Sequence, residues 1–206
     1  MKWMILLLAS IIAAPVWAGG LDSDLAGIQA RWAEIQYQLP EDKKEKAFED
    51  LTNQAQALVD AYPDRAEPLI WQGIVLSTYA GAKGGLGALG LVKDARKSLE
   101  KALDIDPAAL EGSAYTSLGS LYYKVPGWPL GFGDDDKARK YLLKALELNP
   151  DGIDPNYFYG DFLIEQDQPE RAREYLHKAL NAPERPNRPL ADAGRRKEIR
   201  SKLEVL

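Results

Sequence analysis

The chain has 206 residues, a formal net charge of −5 and no cysteine. Its acidic balance argues against a nucleic-acid partner. The lack of cysteine excludes disulfides, thiolate metal sites and a lipid on an N-terminal cysteine, so stability must come from a packed core.

Residues 1–18 have the three-part layout of a secretory signal peptide. Lys2 provides the positive end, and residues 3–14 form an almost unbroken apolar run. Val16 and Ala18 provide small residues at the positions that a signal peptidase reads, so cleavage is predicted after Ala18. The alternative is a retained membrane anchor, for which the run is short. We therefore expect a periplasmic or secreted protein with no stable membrane span after cleavage.

Beyond the signal, the spacing of apolar residues predicts an all-α protein. The predicted helices cover approximately residues 22–38, 41–61, 66–79, 90–105, 109–124, 134–148, 155–166, 168–181 and 189–205.

Prolines after four of these helices indicate an internal repeat. They are Pro63, Pro107, Pro150 and Pro183, at separations of 44, 43 and 33 residues. The helices before the last three share an Ala-x3-Leu-x2-Ala pattern, which places one apolar stripe on each helix. The small side chains allow close approach where neighbouring helices meet. The recurring alanines are Ala95, Ala102, Ala138, Ala145, Ala172 and Ala179.

The partner helices carry a second pattern. One unit contains Tyr115, Leu118, Gly119 and Tyr122, and the last unit keeps the glycine as Gly160. Together with the alanines, these residues resemble the signature of the tetratricopeptide repeat (TPR) family, with tyrosine standing where the first helix usually has tryptophan.

The TPR resemblance implies hairpins stacked in a right-handed superhelix, whose first helices line a concave groove. The expected array covers residues 19–182, with hairpins at about 22–62, 66–106, 109–149 and 155–182. A basic helix within residues 183–206 is expected to cap the array, because terminal repeats need a polar outer face.

Two of the repeats are longer than a TPR unit by about ten residues. The extra segments are residues 80–90 and 125–134, each between the two helices of a hairpin. Because such loops often carry function, Lys83, Trp128 and Phe132 are candidate ligand or partner contacts. The alternative is that both inserts only cover the core at the hairpin tips. The first insert contains a literal Gly-x-Gly-x-x-Gly, but no strand precedes it, so a dinucleotide site is not predicted.

The predicted groove has no catalytic constellation. The single histidine, His177, has no second histidine or cysteine to act with, so neither a metal nor a cofactor is predicted. The Lys and Asn positions with which some TPR domains grip a C-terminal carboxylate are also missing. The groove instead offers an aromatic and polar set suited to a peptide or an apolar ligand. The set comprises Tyr79, Tyr123, Lys124, Tyr157 and Asp161.

These observations favour an exported, non-enzymatic scaffold that binds a protein or peptide partner in the cell envelope through its groove and inserts. An alternative follows from a narrower similarity. The Gly-rich first insert and the Pro-Gly-Trp-Pro sequence of the second resemble those of T-component proteins associated with TRAP-type transporters. That similarity implies an oligomer-forming transport accessory that binds a small apolar ligand or a solute-binding protein. Members of that family are often lipoproteins, a tether that this chain cannot carry.

Overall fold

A computed structural model describes residues 20–206, so the signal peptide predicted at residues 1–18 lies outside the described residues. The described part of the chain is helical and has no strand, which confirms the all-α prediction. The helices are α1 (Leu21–Gln38), α2 (Glu41–Ala61), α3 (Ala66–Lys83), α4 (Ala88–Ile105), α5 (Ala109–Lys124), α6 (Asp135–Leu148), α7 (Ile153–Glu165), α8 (Pro169–Leu180) and α9 (Pro189–Val205).

Consecutive helices pack as a series of hairpins. α1 packs on α2, α3 on α4, α5 on α6 and α7 on α8, and each second helix also contacts the first helix of the next hairpin. The first helices α1, α3, α5 and α7 contact one another in sequence. This is the arrangement of a TPR-like array, in which neighbouring repeats share one continuous core.

The repeated small residues lie where helices approach most closely. All six signature alanines are fully buried, with an exposed fraction of 0 %. A Cβ atom on Gly119 would lie 2.6 Å from Cγ of Leu142, and one on Gly160 would lie 2.9 Å from Cγ of Leu176. Larger side chains at these positions would force the hairpins apart.

The signature tyrosines belong to the core between α5 and α6. The ring of Tyr122 is buried and stacks on Tyr141 with a centroid separation of 5.5 Å. Tyr115 is half-buried, and its ring centroid lies 6.0 Å from that of Tyr141. Leu118, on the same helix, is fully buried.

The first predicted insert is mostly helical, which corrects the prediction of a loop over residues 80–90. α3 continues to Lys83 and α4 begins at Ala88, so only residues 84–87 lie between them. Gly84 and Gly85 have φ angles of 63° and 59°, a left-handed conformation that glycine adopts without steric cost. The two glycines therefore allow a short turn between two extended helices.

The second insert is a non-helical loop, as predicted, and it is folded closely against itself. The Gly133 amide donates to the Pro126 carbonyl over 3.0 Å, and the Asp134 amide donates to the Tyr122 carbonyl over 2.8 Å. The Asp134 side chain then accepts from the Lys137 amide, which caps α6. The loop thus leaves α5 and enters α6 through defined hydrogen bonds.

The C-terminal helix α9 contacts both ends of the array. Its first turns contribute Ala191 and Leu190 to the apolar cluster around α1, while Ile199 is buried in a cluster with α7 and α8 residues. Helix α9 packs on each of α1, α7 and α8. The helix expected to cap one end therefore bridges the last hairpin to the first.

Candidate functional site

A cavity of about 680 Å³ lies on the side of the array formed by the first helices. Its walls come from α1, α3, α5 and the start of α7, and from residues 183–188 and α9. Because α9 joins the last hairpin to α1, the open groove expected of a TPR array is reduced here to a bounded pocket. Pockets of several hundred Å³ suit a small molecule or a few side chains of a peptide.

Two tryptophans form an aromatic wall of the cavity. Trp32 of α1 and Trp71 of α3 are both buried, and their rings meet edge to face at a centroid distance of 6.0 Å. The Trp32 Nε1–H donates to the Thr78 hydroxyl over 3.0 Å, which fixes the ring orientation. Ile74 and Phe158 add further apolar lining. An apolar group entering the cavity would therefore meet preordered aromatic surface.

Hydroxyl groups supply much of the polar lining. They come mainly from α3 and α5, at Ser77, Thr78, Ser113, Thr116, Ser117 and Ser120. Some are already used inside the fold, since Ser77 and Thr78 each donate to a backbone carbonyl one turn earlier. Apolar walls with a few polar groups are typical of ligand pockets.

A left-handed segment lies at the start of α5, beside the cavity. Leu110, Glu111 and Gly112 have φ angles of 48°, 55° and 76°. Leu110 and Glu111 both line the cavity. Residues other than glycine rarely adopt this conformation, which costs about 1–2 kcal/mol per residue. Strained backbone of this kind clusters at functional sites, so its position supports a binding role for the cavity.

A network of charged side chains anchors the segment before α9. Asp154, at the start of α7, accepts from Arg185 and also from Nε of Arg195 at 2.9 Å. The buried Asp192 accepts from the backbone amide and the guanidinium of Arg185. Burial alone would raise the pKa of Asp154, but Arg195 and Arg185 outweigh it and hold that pKa well below its ordinary value. The network therefore depends on an ionised Asp154.

Arg188 lines the same cavity in a different way. Its guanidinium lies over the ring of Trp71, 5.0 Å from the centroid. Its Nε is buried and has no hydrogen-bond partner among the described residues. Burial, together with the positive charge of Arg185, lowers the pKa of Arg188 to about 10. The side chain remains charged at neutral pH.

Four of the predicted groove residues come together, but they do not line the cavity. Tyr123 donates to Asp161 over 2.8 Å, and Lys124 and Lys202 lie 3.0 and 2.6 Å from the same carboxylate. The Tyr157 ring lies under Arg195 of α9, 4.3 Å from the guanidinium carbon. These contacts join α5 and α7 to α9. The chain's own C-terminal helix therefore engages this set, and its role in binding a partner stays a prediction.

Tyr79 and Lys83 lie at the end of α3, outside the cavity lining. Lys83 Nζ donates to the hydroxyl of the buried Tyr79 and also pairs with Glu45 of α2 at 3.2 Å. Tyr79 is predicted in the groove and Lys83 in the first insert. In the structure, both stabilise the last turn of α3, which continues beyond its predicted end.

The two aromatic residues predicted in the second insert have different environments. Phe132 packs edge to face on Tyr122 at 5.4 Å, and Arg96 of α4 covers its ring at 4.3 Å. The side chain of Trp128 is 90 % exposed, and nearby Leu130 is 65 % exposed. Leu86, in the turn of the preceding hairpin, is 84 % exposed. Phe132 is therefore part of the packed structure, whereas the other three side chains are open to a partner.

Sequence reasoning did not identify Trp32, Trp71 and Arg188 as site residues. The tryptophans lie on first helices of the less regular N-terminal hairpins, so a search for large aromatics on those helices could have found them. Arg188 precedes α9 in a segment without periodicity. No sequence pattern indicated that this segment reaches Trp71.

Comparison with known proteins supports the repeat architecture. A tetratricopeptide repeat family model matches residues 130–192, which include α6, α7 and α8. This part of the chain therefore resembles tetratricopeptide repeats. No curated protein matches the chain.

Among residues 20–206, none of the helices combines the length and apolarity that crossing a bilayer requires. The same part of the chain has no cluster of three or more His, Asp or Glu side chains suited to a metal ion.

Proposed function

We propose that this TPR-containing chain is an exported, non-enzymatic binding protein that holds a small, largely apolar ligand in its concave cavity. The observation that carries the proposal is the bounded cavity itself, with Trp32 and Trp71 on one wall and α9 on another. Residues of the segment 183–188 and Arg195 of α9 line the cavity, which leaves less room for a folded protein segment than an open groove would. TPR repeats in general mediate protein interactions, and the reduced groove favours a smaller occupant at this position.

A neutral fluorescent probe tests the proposal. N-phenyl-1-naphthylamine becomes fluorescent in apolar surroundings, and we expect saturable binding of one probe per chain. Ser117→Phe would fill the cavity from α5, because Ser117 is half-buried in its lining. The matched control is Ser201→Phe, which adds the same group at an exposed position of α9. The proposal fails if the probe does not saturate, or if Ser117→Phe binds it as well as the control does.

A second function is favoured by the exposed apolar side chains at the hairpin tips. Leu86, Trp128 and Leu130 are three of the four most exposed large apolar side chains among the described residues. We propose that they bind a protein partner in the cell envelope, separately from the ligand cavity. A ligand cavity combined with a partner surface suits an accessory to transport, the role implied by the T-component resemblance.

Affinity capture with paired variants tests this second function. The full chain is used as bait on envelope extract, beside Trp128→Ala and the control Arg200→Gln, an exposed α9 substitution. A partner enriched by wild type and the control, but lost with Trp128→Ala, would support it. Equal enrichment by all three baits would reject the hairpin-tip surface.

A further inference from the structure

Arg188 differs from the other two arginines of the cavity in forming no direct ion pair, although Asp154 and Asp192 attract its charge from a greater distance. Arg185 pairs with Asp154 and Asp192, and Arg195 pairs with Asp154 and Glu198. No ion pair or side-chain hydrogen bond joins Arg188 to any described residue, and its charge rests against the face of Trp71. Arg188 as a whole is half-buried, but its Nε is buried, and a buried donor that has lost water without gaining an acceptor is costly. The unpaired guanidinium therefore offers a site for an anionic group.

Main-chain hydrogen bonds hold the backbone of Arg188 at the cavity wall. The Arg188 amide donates to the Arg185 carbonyl over 3.2 Å, and the Asp192 amide donates to the Arg188 carbonyl over 3.0 Å. Asn187, immediately before, has a φ of 61°, which turns the chain sharply into α9. Since Arg185 is also anchored by two carboxylates, the backbone at Arg188 is fixed before any ligand arrives. Such preorganisation reduces the entropy lost on binding.

The surrounding charges limit the anion to a single negative charge. Asp154 is already shared by two arginines. The remaining acids of the lining, Glu111, Asp151 and Glu184, have exposed side chains, so water screens them but does not remove their repulsion. One cation without a direct ion pair, in acidic surroundings, favours a monoanion over a phosphate dianion. The planar fork of a guanidinium also matches the two oxygens of a carboxylate.

We infer that the cavity binds a ligand with a carboxylate group. Arg188 holds the carboxylate, and the apolar body of the ligand lies against Trp71 and Trp32. This inference rests on the proposed ligand-binding function and names the ligand's chemistry. The two indoles and Ile74 supply the apolar wall on the α1 and α3 side of the cavity. The carboxylate could belong to a small organic acid or to the free C-terminus of a short peptide, since both present the same group.

Calorimetric titration of the full chain tests the inference with two pairs of probes. The first pair is 4-phenylbutyrate and its uncharged amide, and the second is the tetrapeptide Ala-Ala-Ala-Phe with a free or an amidated C-terminus. We expect at least one acid to bind about tenfold or more tightly than its amide, as a charge-assisted hydrogen bond at a buried site implies. The pair with the larger preference identifies the source of the carboxylate. Inorganic phosphate should not displace the bound acid.

Two variants test whether the preference for the acid over its amide depends on Arg188. Arg188→Gln should reduce it to less than about twofold, and Arg188→Lys should restore part of it because the charge returns without the fork. Arg200→Gln, the same substitution at an exposed site of α9, should keep the full preference. Thermal melting of each variant shows whether the fold is retained. Arg188→Gln should weaken it only slightly, because the residue loses its contact with Trp71 but no ion pair.

The results separate this inference from the function on which it rests. If neither acid binds more tightly than its amide, or if Arg188→Gln keeps the preference, the carboxylate inference is overturned. In that case, Ser117-dependent binding of the neutral naphthylamine probe would leave the ligand cavity intact. Absence of that binding would reject the cavity function itself.

Discussion

Gly194 of α9 packs directly on the aromatic ring of Tyr37 in α1. A Cβ atom added to Gly194 would overlap the Tyr37 ring, so the two helices meet at a distance that only glycine allows. Burial between these helices also raises the pKa of Tyr37 to about 12. This contact joins residues near opposite ends of the described chain, and it places α9 along the cavity rather than beyond the last hairpin.

Gly194→Ala should therefore loosen α9 from α1. We expect a loss of about 1–3 kcal/mol in the free energy of unfolding, the usual cost of forcing a methyl group into a packed contact. Gly27→Ala is the matched control, because Gly27 lies within α1 and a Cβ atom there meets nothing within 4 Å. It should stabilise the protein by about 0.5–1 kcal/mol through the higher helix propensity of alanine. Urea unfolding measures both, and two changes of the same sign would contradict this packing.

The Asp154 network predicts a loss of stability in acid. The folded-state pKa of Asp154 is lowered, so its stabilisation is complete above the unfolded pKa of about 3.9 and is lost as pH falls towards the folded value. We expect the free energy of unfolding to fall with pH below about 4, and to fall less steeply in Asp154→Asn. Asp64→Asn is the control, since Asp64 is exposed and forms no ion pair with a described residue. Equal slopes for wild type and Asp154→Asn between pH 2 and pH 5 would show that the network does not contribute.

The parts of the fold that could be predicted are those governed by local periodicity. The Ala95 and Ala102 stripe and its repeats depend on side chains three and four residues apart, so the sequence alone places them on one helix face. The end of α3 at Lys83 depends instead on Glu45 of another helix, which no local pattern reveals. The groove was predicted from a family resemblance that assumes an open concave face. Gly194 and Tyr37 are far apart in the sequence. Their contact places α9 along this face, so fewer residues are accessible there than in an open groove.

Substitutions in the hairpin-tip loop of residues 125–134 should distinguish side chains that stabilise the fold from side chains that are free to bind a partner. Phe132→Ala removes contacts with Tyr122 and Arg96, so we expect it to cost about 1–3 kcal/mol of unfolding free energy. Trp128→Ala and Leu130→Ser remove exposed side chains and should change stability by no more than about 0.5 kcal/mol. Thermal melting compares the three variants. A large loss from either exposed position would mean that these side chains serve the fold, and the proposed partner surface would lose its basis.

Asp161 provides the sharpest contrast between the groove predicted from sequence and the one in the structure. As a partner-binding residue in an open groove, it could be replaced without loss of stability. In the structure it is 4 % exposed, accepts a hydrogen bond from Tyr123 and forms ion pairs with Lys124 and Lys202. Burial opposes its ionisation, but Lys202 and Lys124 outweigh this and lower its pKa, so it is charged at neutral pH.

Asp161→Ala would leave Tyr123 without its acceptor and Lys202 without its carboxylate. We expect a loss of about 3 kcal/mol in unfolding free energy, because removing one member of a buried ionic group leaves the others uncompensated. Glu165→Ala removes another acidic partner of Lys124 from the same helix, but Glu165 is exposed and should cost less than about 1 kcal/mol. Urea unfolding at neutral pH compares the two variants. If Asp161→Ala proves as mild as Glu165→Ala, then α9 does not hold this carboxylate, and the open groove predicted from the sequence would be restored.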